Sequence, residues 1–138
     1  MSNVQELRPK IPENEKITIN LGHVDLGHID LLSKEGFYSN RTDFIRTAIR
    51  NQLERHTEAL KETILRKQIK LGLHRFTRID LEKMHKAGEM LDIQVLGLAI
   101  IDDDVTPDLA LNTIATIQVL GAFHASYAVK AALQDRLC

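Results

Sequence analysis

Tryptophan is absent from this sequence, cysteine occurs once, as Cys138, and aromatic side chains make up only 4% of the 138 residues. A lone cysteine excludes a disulfide framework within one chain and fits a reducing compartment. With so few aromatics, the core must come from Leu, Ile, Val and Ala, within a hydrophobic content of 43%. A small domain built this way gains by oligomerising. No run of about 18 apolar residues occurs, so no membrane span is expected. The opening stretch, Met1 to Glu15, is polar, carries Pro9 and Pro12, and lacks the apolar segment of a secretory signal. A cytoplasmic protein is therefore expected.

An excess of charge of one sign is also missing, since the net charge is −1. The distribution is uneven, however. Residues 1–78 carry 14 Lys/Arg against 10 Asp/Glu, and residues 79–138 carry 4 against 9. The first part, at +4, attracts phosphate; the second, at −5, repels it.

Residues 1–14 read as a flexible arm. In Lys16-Ile17-Thr18-Ile19-Asn20-Leu21 apolar and polar residues alternate strictly, the pattern of a half-buried strand that Gly22 ends. Taken alone, it could equally be an edge strand with a solvated polar face. Val24 to Glu35 predicts a short helix, with Asp25 and Lys34 suited to its dipole and Gly36 as its stop. Phe37-Tyr38-Ser39 connects to a second helix, for which Asn40 is the cap and Asp43 the acid that reaches back. Phe44, Ile45, Ala48, Ile49 and Leu53 keep helical spacing. That helix either continues through Ile69 to Gly72 or breaks near His56-Thr57.

The second part contains a repeat. Ile93-Gln94-Val95-Leu96-Gly97 recurs as Ile117-Gln118-Val119-Leu120-Gly121, a period of 24, and Val105 and Val129 keep the same offset. Helical segments follow each copy, one opened by Thr106-Pro107-Asp108 and one capped by Ser126. Asp80 to Leu91 predicts a further helix before the first copy. This order implies parallel strands with right-handed crossovers, and a partner chain over the open ends.

Lys16 to Leu21 and the stretch Gly36-Phe37-Tyr38-Ser39-Asn40-Arg41-Thr42-Asp43-Phe44-Ile45-Arg46-Thr47-Ala48-Ile49-Arg50 resemble the ribbon-helix-helix family, the MetJ/Arc/CopG superfamily. The resemblance covers about a third of the chain. It implies that the strands of two copies pair antiparallel, with Ile17, Ile19, Leu21, Ile45 and Ile49 in the dimer core. It also implies that Lys16, Thr18 and Asn20 read bases in the major groove and that Ser39, Asn40 and Arg41 hold a phosphate. These residue types suit base reading, since Lys donates to guanine, Asn pairs with adenine, and Thr meets a thymine methyl. Family ribbons often carry a second cation among the readers; this one has a single Lys.

The expected fold class is α+β: an intertwined ribbon-helix-helix dimer over 15–60, a helical connector over 61–75, and a small α/β repeat domain with short parallel strands over 76–138. The expected function is that of a transcriptional regulator, a repressor, binding double-stranded DNA as a homodimer or, through residues 76–138, a higher oligomer. Two rivals use the same residues differently. One is an antitoxin whose second half binds a toxin; the other is a scaffold assembled through the repeats.

Nickel-responsive members of the superfamily bind metal, but His23, His28, His56, His74, His85 and His124 lack ligand spacing such as H-x3-H. Asp102-Asp103-Asp104 reads as a solvated loop. Neither a cofactor nor a metal is expected. His124 and Ser126 have no third partner in a recognisable pattern, so no enzyme is expected either.

Overall fold

The computed structural model describes residues 14–138. The arm expected over 1–14 lies, apart from Asn14, outside the described residues. Two compact units meet in sequence between Arg55 and His56.

In the first unit, residues 15–22 form neither helix nor ladder with any described part of the chain. Helix α1 spans His23–Lys34 and α2 spans Arg41–Arg55. α1 starts one residue before the expected Val24 and ends one before Glu35. It stops because Gly36 takes φ 88°, a left-handed conformation that costs glycine little. The Gly36 N–H then donates to the Ser33 carbonyl and the Phe37 N–H to the Leu32 carbonyl, satisfying two terminal acceptors. Among the described residues of this unit, Ile29 alone is buried. Ile45 is half-buried and Ile49 exposed, so one copy has almost no interior of its own.

The second unit begins with α3, Thr57–Lys67, after a break at His56. Of the two courses left open for the long helix, the chain takes the break. It then departs from the helical connector expected over 61–75. α3 ends at Lys67, where Gln68 turns left-handed at φ 55°, and strand β1 occupies Lys70–Phe76. The cause is tertiary. Lys70–Phe76 pairs in parallel with Val95–Ile101, and a ladder over seven residues overrides the local continuation of a helix.

Helix α4 follows at Arg78–Ala87, then β2 at Leu91–Ile101, α5 at Pro107–Thr113, β3 at Ile114–His124 and α6 at Tyr127–Ala132. A 3-10 turn, Gln134–Arg136, comes last. α4 starts earlier than the expected Asp80 because Thr77 and Asp80 form a reciprocal capping box. It ends earlier than the expected Leu91, which opens β2. Thr106 caps α5 and Ser126 caps α6, each through its hydroxyl oxygen.

The three strands are parallel, in the order β1-β2-β3. The repeat is the register itself: Ile93 stands opposite Ile117, Val95 opposite Val119, and Gly97 opposite Gly121. β1 supplies a shorter third copy, with Leu71-Gly72 opposite Leu96-Gly97. Leu81 from α4, Ala110 from α5 and Val129 from α6 pack on Ile93, Val95, Ile101 and Ile117, all essentially inaccessible. These helices thus cover one face of the sheet, as crossovers of a single hand require.

The chain end closes one edge of the sheet. The Arg136 guanidinium donates to the carbonyls of Leu111 and Ile114. Leu137 bridges to Ile117, and the Cys138 N–H donates to the Ile117 carbonyl at 2.8 Å. The start of the β3 edge is therefore covered by its own chain, where the sequence suggested a partner. Among the described residues, no helix is long and apolar enough to cross a membrane.

Candidate nucleic-acid interface

Ile17, Ile19 and Leu21 are 71%, 55% and 40% exposed. Lys16, Thr18 and Asn20, interleaved with them, are exposed as well. Among the described residues this segment joins no ladder, so both its apolar and its polar side chains stand open. Val24, Leu31, Ile49 and Leu53 on α1 and α2 are exposed large apolar residues of the same unit.

The start of α2 is fixed locally. The Asn40 Oδ1 accepts from the Asp43 N–H at 2.8 Å, and the Asp43 carboxylate accepts from the Ser39 N–H at 2.9 Å. Asp43 thus reaches one residue further back than a standard capping box. The Tyr38 and Phe44 rings meet edge to face, 5.0 Å between centroids, and set the angle at which the chain joins the helix.

Ser39, Asn40 and Arg41 sit together here, and one polar group of Ser39, one of Asn40 and the Arg41 guanidinium already have partners. The Ser39 amide is taken by Asp43 and the Asn40 oxygen by the first turn. The Arg41 guanidinium makes a two-point pair with Asp30 of α1, at 2.8 and 2.9 Å. The hydrogen bonds from Arg41 hold the Asp30 carboxyl below the usual carboxylate range, and its charge adds to the effect. Asp30 in turn raises the Arg41 guanidinium. Sequence reasoning missed Asp30, because the two residues lie 11 positions apart across a turn with no periodic signal joining them. Helix geometry leaves the first-turn amides of Arg41 and Thr42 without an intrahelical acceptor, the arrangement that attracts an anion. Arg46, Arg50 and Arg55 continue the positive charge along α2.

The histidines are dispersed: His23 and His28 on α1, His56 at the helix break, His74 on β1, His85 on α4 and His124 on β3. Among the described residues, no group of three or more His, Cys, Asp or Glu side chains is placed to hold a metal ion.

A model of the ribbon-helix-helix transcriptional regulator family matches residues 12–130. The match is wider than the stretch that carries the resemblance, running through all three strands into α6. No curated protein and no solved structure matches the chain.

Proposed function

The chain belongs to the ribbon-helix-helix transcriptional regulator family, and from that premise we propose that it is a repressor that binds its operator as a dimer or higher oligomer, in the cytoplasm. The observation that carries this is the exposed segment Lys16–Leu21, which joins no ladder with any described part of the chain. It alternates exposed apolar and polar residues immediately before a helix–turn–helix that buries only Ile29 on its own.

Two such segments form a ribbon that fits the major groove, with Lys16, Thr18 and Asn20 facing base edges. Ile17, Ile19, Leu21, Ile45 and Ile49 form the dimer core. A phosphate sits at the start of α2, held by the free amides of that turn, with Ser39 and Asn40 shaping it and Arg41 exchanging Asp30 for the phosphate. Residues 76–138 assemble copies. Their packed sheet and helices support a regulator over an antitoxin, whose toxin-binding tail is typically disordered until bound.

Selection of bound duplexes from a random pool tests the proposal. Enrichment of one motif in two-fold or tandem half-sites is expected. Recovery of unrelated sequences at equal affinity would contradict it.

A further inference from the structure

The sheet has two outer edges, and they match. Among the described residues β1 pairs with β2 alone. On the outer edge of β3 the chain end reaches Ile117 and stops. The Cys138 N–H takes the Ile117 carbonyl there, so Val119 and Gly121, in the same phase, turn their backbone groups to that edge as well. The stretch from Val119 to His124 that the chain end leaves uncovered is about as long as β1. The glycines show how one strand seats the next. A Cβ on Gly97 would meet the Gly72 carbonyl oxygen at 2.5 Å, and one on Gly121 would strike the Gly97 carbonyl. Each glycine thus leaves room for the carbonyl of the strand before it. Gly72 takes the same left-handed backbone, at φ 99°, yet nothing stands within 4 Å of its Cβ position. Terminal units of a stacked array ordinarily turn a polar face outward. Here the terminal helices α4 and α6 carry Ile79, 62% exposed, and Tyr127, 89% exposed.

We infer that a second copy of the chain sets its β3 beside β1, parallel and head to tail, with its Gly121 opposite Gly72. A second copy is selected because β3 offers, as Leu120-Gly121, the same step that β1 offers to β2 as Leu71-Gly72 and β2 offers to β3 as Leu96-Gly97. The register within the chain fixes the rest, placing Lys70 opposite Val119 and Leu71 opposite Leu120. That register begins beyond Ile117, so the chain end of one copy and the β1 of the next share an edge without overlap. The Gly72 carbonyl faces β2, so those of Leu71 and Leu73 face the outer edge of β1. The Leu71 carbonyl meets the His74 ring at 2.9 Å, and its second lone pair serves a neighbouring strand. A heterologous contact of this kind leaves one β1 and one β3 edge open at the ends, so copies add in a row. The inference rests on the assembly role proposed above for residues 76–138, extends it to β1 and names its surface.

The test uses the full chain with Cys138→Ser, carrying Lys70→Cys in one preparation and Val119→Cys in another. Both positions lie on the helix-covered side of the sheet, so contacts through its other face cannot join them. A short bis-maleimide is added at micromolar concentration to each preparation alone and to their mixture. The expected result is a product joining residues 70 and 119 in the mixture and no product in either preparation alone. Leu73→Pro in the Lys70→Cys chain removes an N–H from the outer edge and spares the ladder with β2, so the product should be lost. If that variant alters the circular dichroism, an excess of wild-type chain should cause the same loss by competition. Product in either preparation alone would overturn the inference, because it needs like edges paired about a two-fold axis. So would a mixture without product, or product that survives both Leu73→Pro and the competitor. Duplex selection with the same variants reports on the DNA reading separately: a motif without the cross-link overturns the pairing alone, and the cross-link without a motif overturns the DNA reading alone.

Discussion

Arg41 and Asp30 hold each other by two hydrogen bonds, Nε to Oδ1 at 2.8 Å and Nη2 to Oδ2 at 2.9 Å, linking α1 to the first residue of α2. Both side chains are about half exposed. Such a pair is screened by water and salt and contributes little to stability. Its consequence lies in what Arg41 can do when a phosphate approaches.

Asp30→Ala should free Arg41 and remove a carboxylate from the binding surface. Affinity for all duplexes should rise, and the slope of log K against log salt should steepen by about one phosphate contact. Arg41→Ala should weaken all sequences and flatten the slope. Salt titrations of binding measure both, and an effect confined to one base position would contradict the phosphate role.

The same pair carries a pH dependence. Folding depresses the Asp30 pKa, chiefly through the hydrogen bonds from Arg41. Its stabilisation is therefore present above the ordinary carboxylate range and is lost as pH falls through the folded value. The Tm difference between the wild type and Asp30→Asn should shrink as pH drops from about 6 to about 3. A difference that stays constant with pH would contradict the assignment.

Glycine positions separate backbone strain from crowding. A Cβ on Gly97, at φ 136°, would stand 2.5 Å from the Gly72 carbonyl oxygen, and one on Gly121, at φ 123°, would strike the Gly97 carbonyl. Gly36, at φ 88°, has open space around it. Gly36→Ala should cost about 1–2 kcal/mol, the left-handed penalty alone. Gly97→Ala and Gly121→Ala add a backbone clash and should cost about 4 kcal/mol or more. Chemical denaturation of the three variants gives the comparison, and equal losses would contradict the close approach of the strands.

What was legible in the sequence was local or repeated. Asn40, Thr106 and Ser126 announce helix starts because a cap acts within three residues of itself. The period of 24 announced parallel pairing, since identical segments at fixed spacing fall into register. β1 was not legible. Gly72 reads as a helix stop, yet the helix ends at Gln68, a left-handed non-glycine, and Lys70–Phe76 becomes a strand only because β2 is beside it. The same limit hid Asp30 behind Arg41, and the short third copy at Leu71-Gly72.

The ribbon is tested most directly by replacing Lys16, Thr18 and Asn20 together with Ala. The measurement is binding to the selected operator and to random duplex, alongside sedimentation of the free protein. The expected result is a dimer that binds both duplexes alike, with weak, salt-sensitive affinity. Retained preference for the operator, or loss of the dimer, would contradict the assignment of these three side chains to the outward face of a two-stranded ribbon.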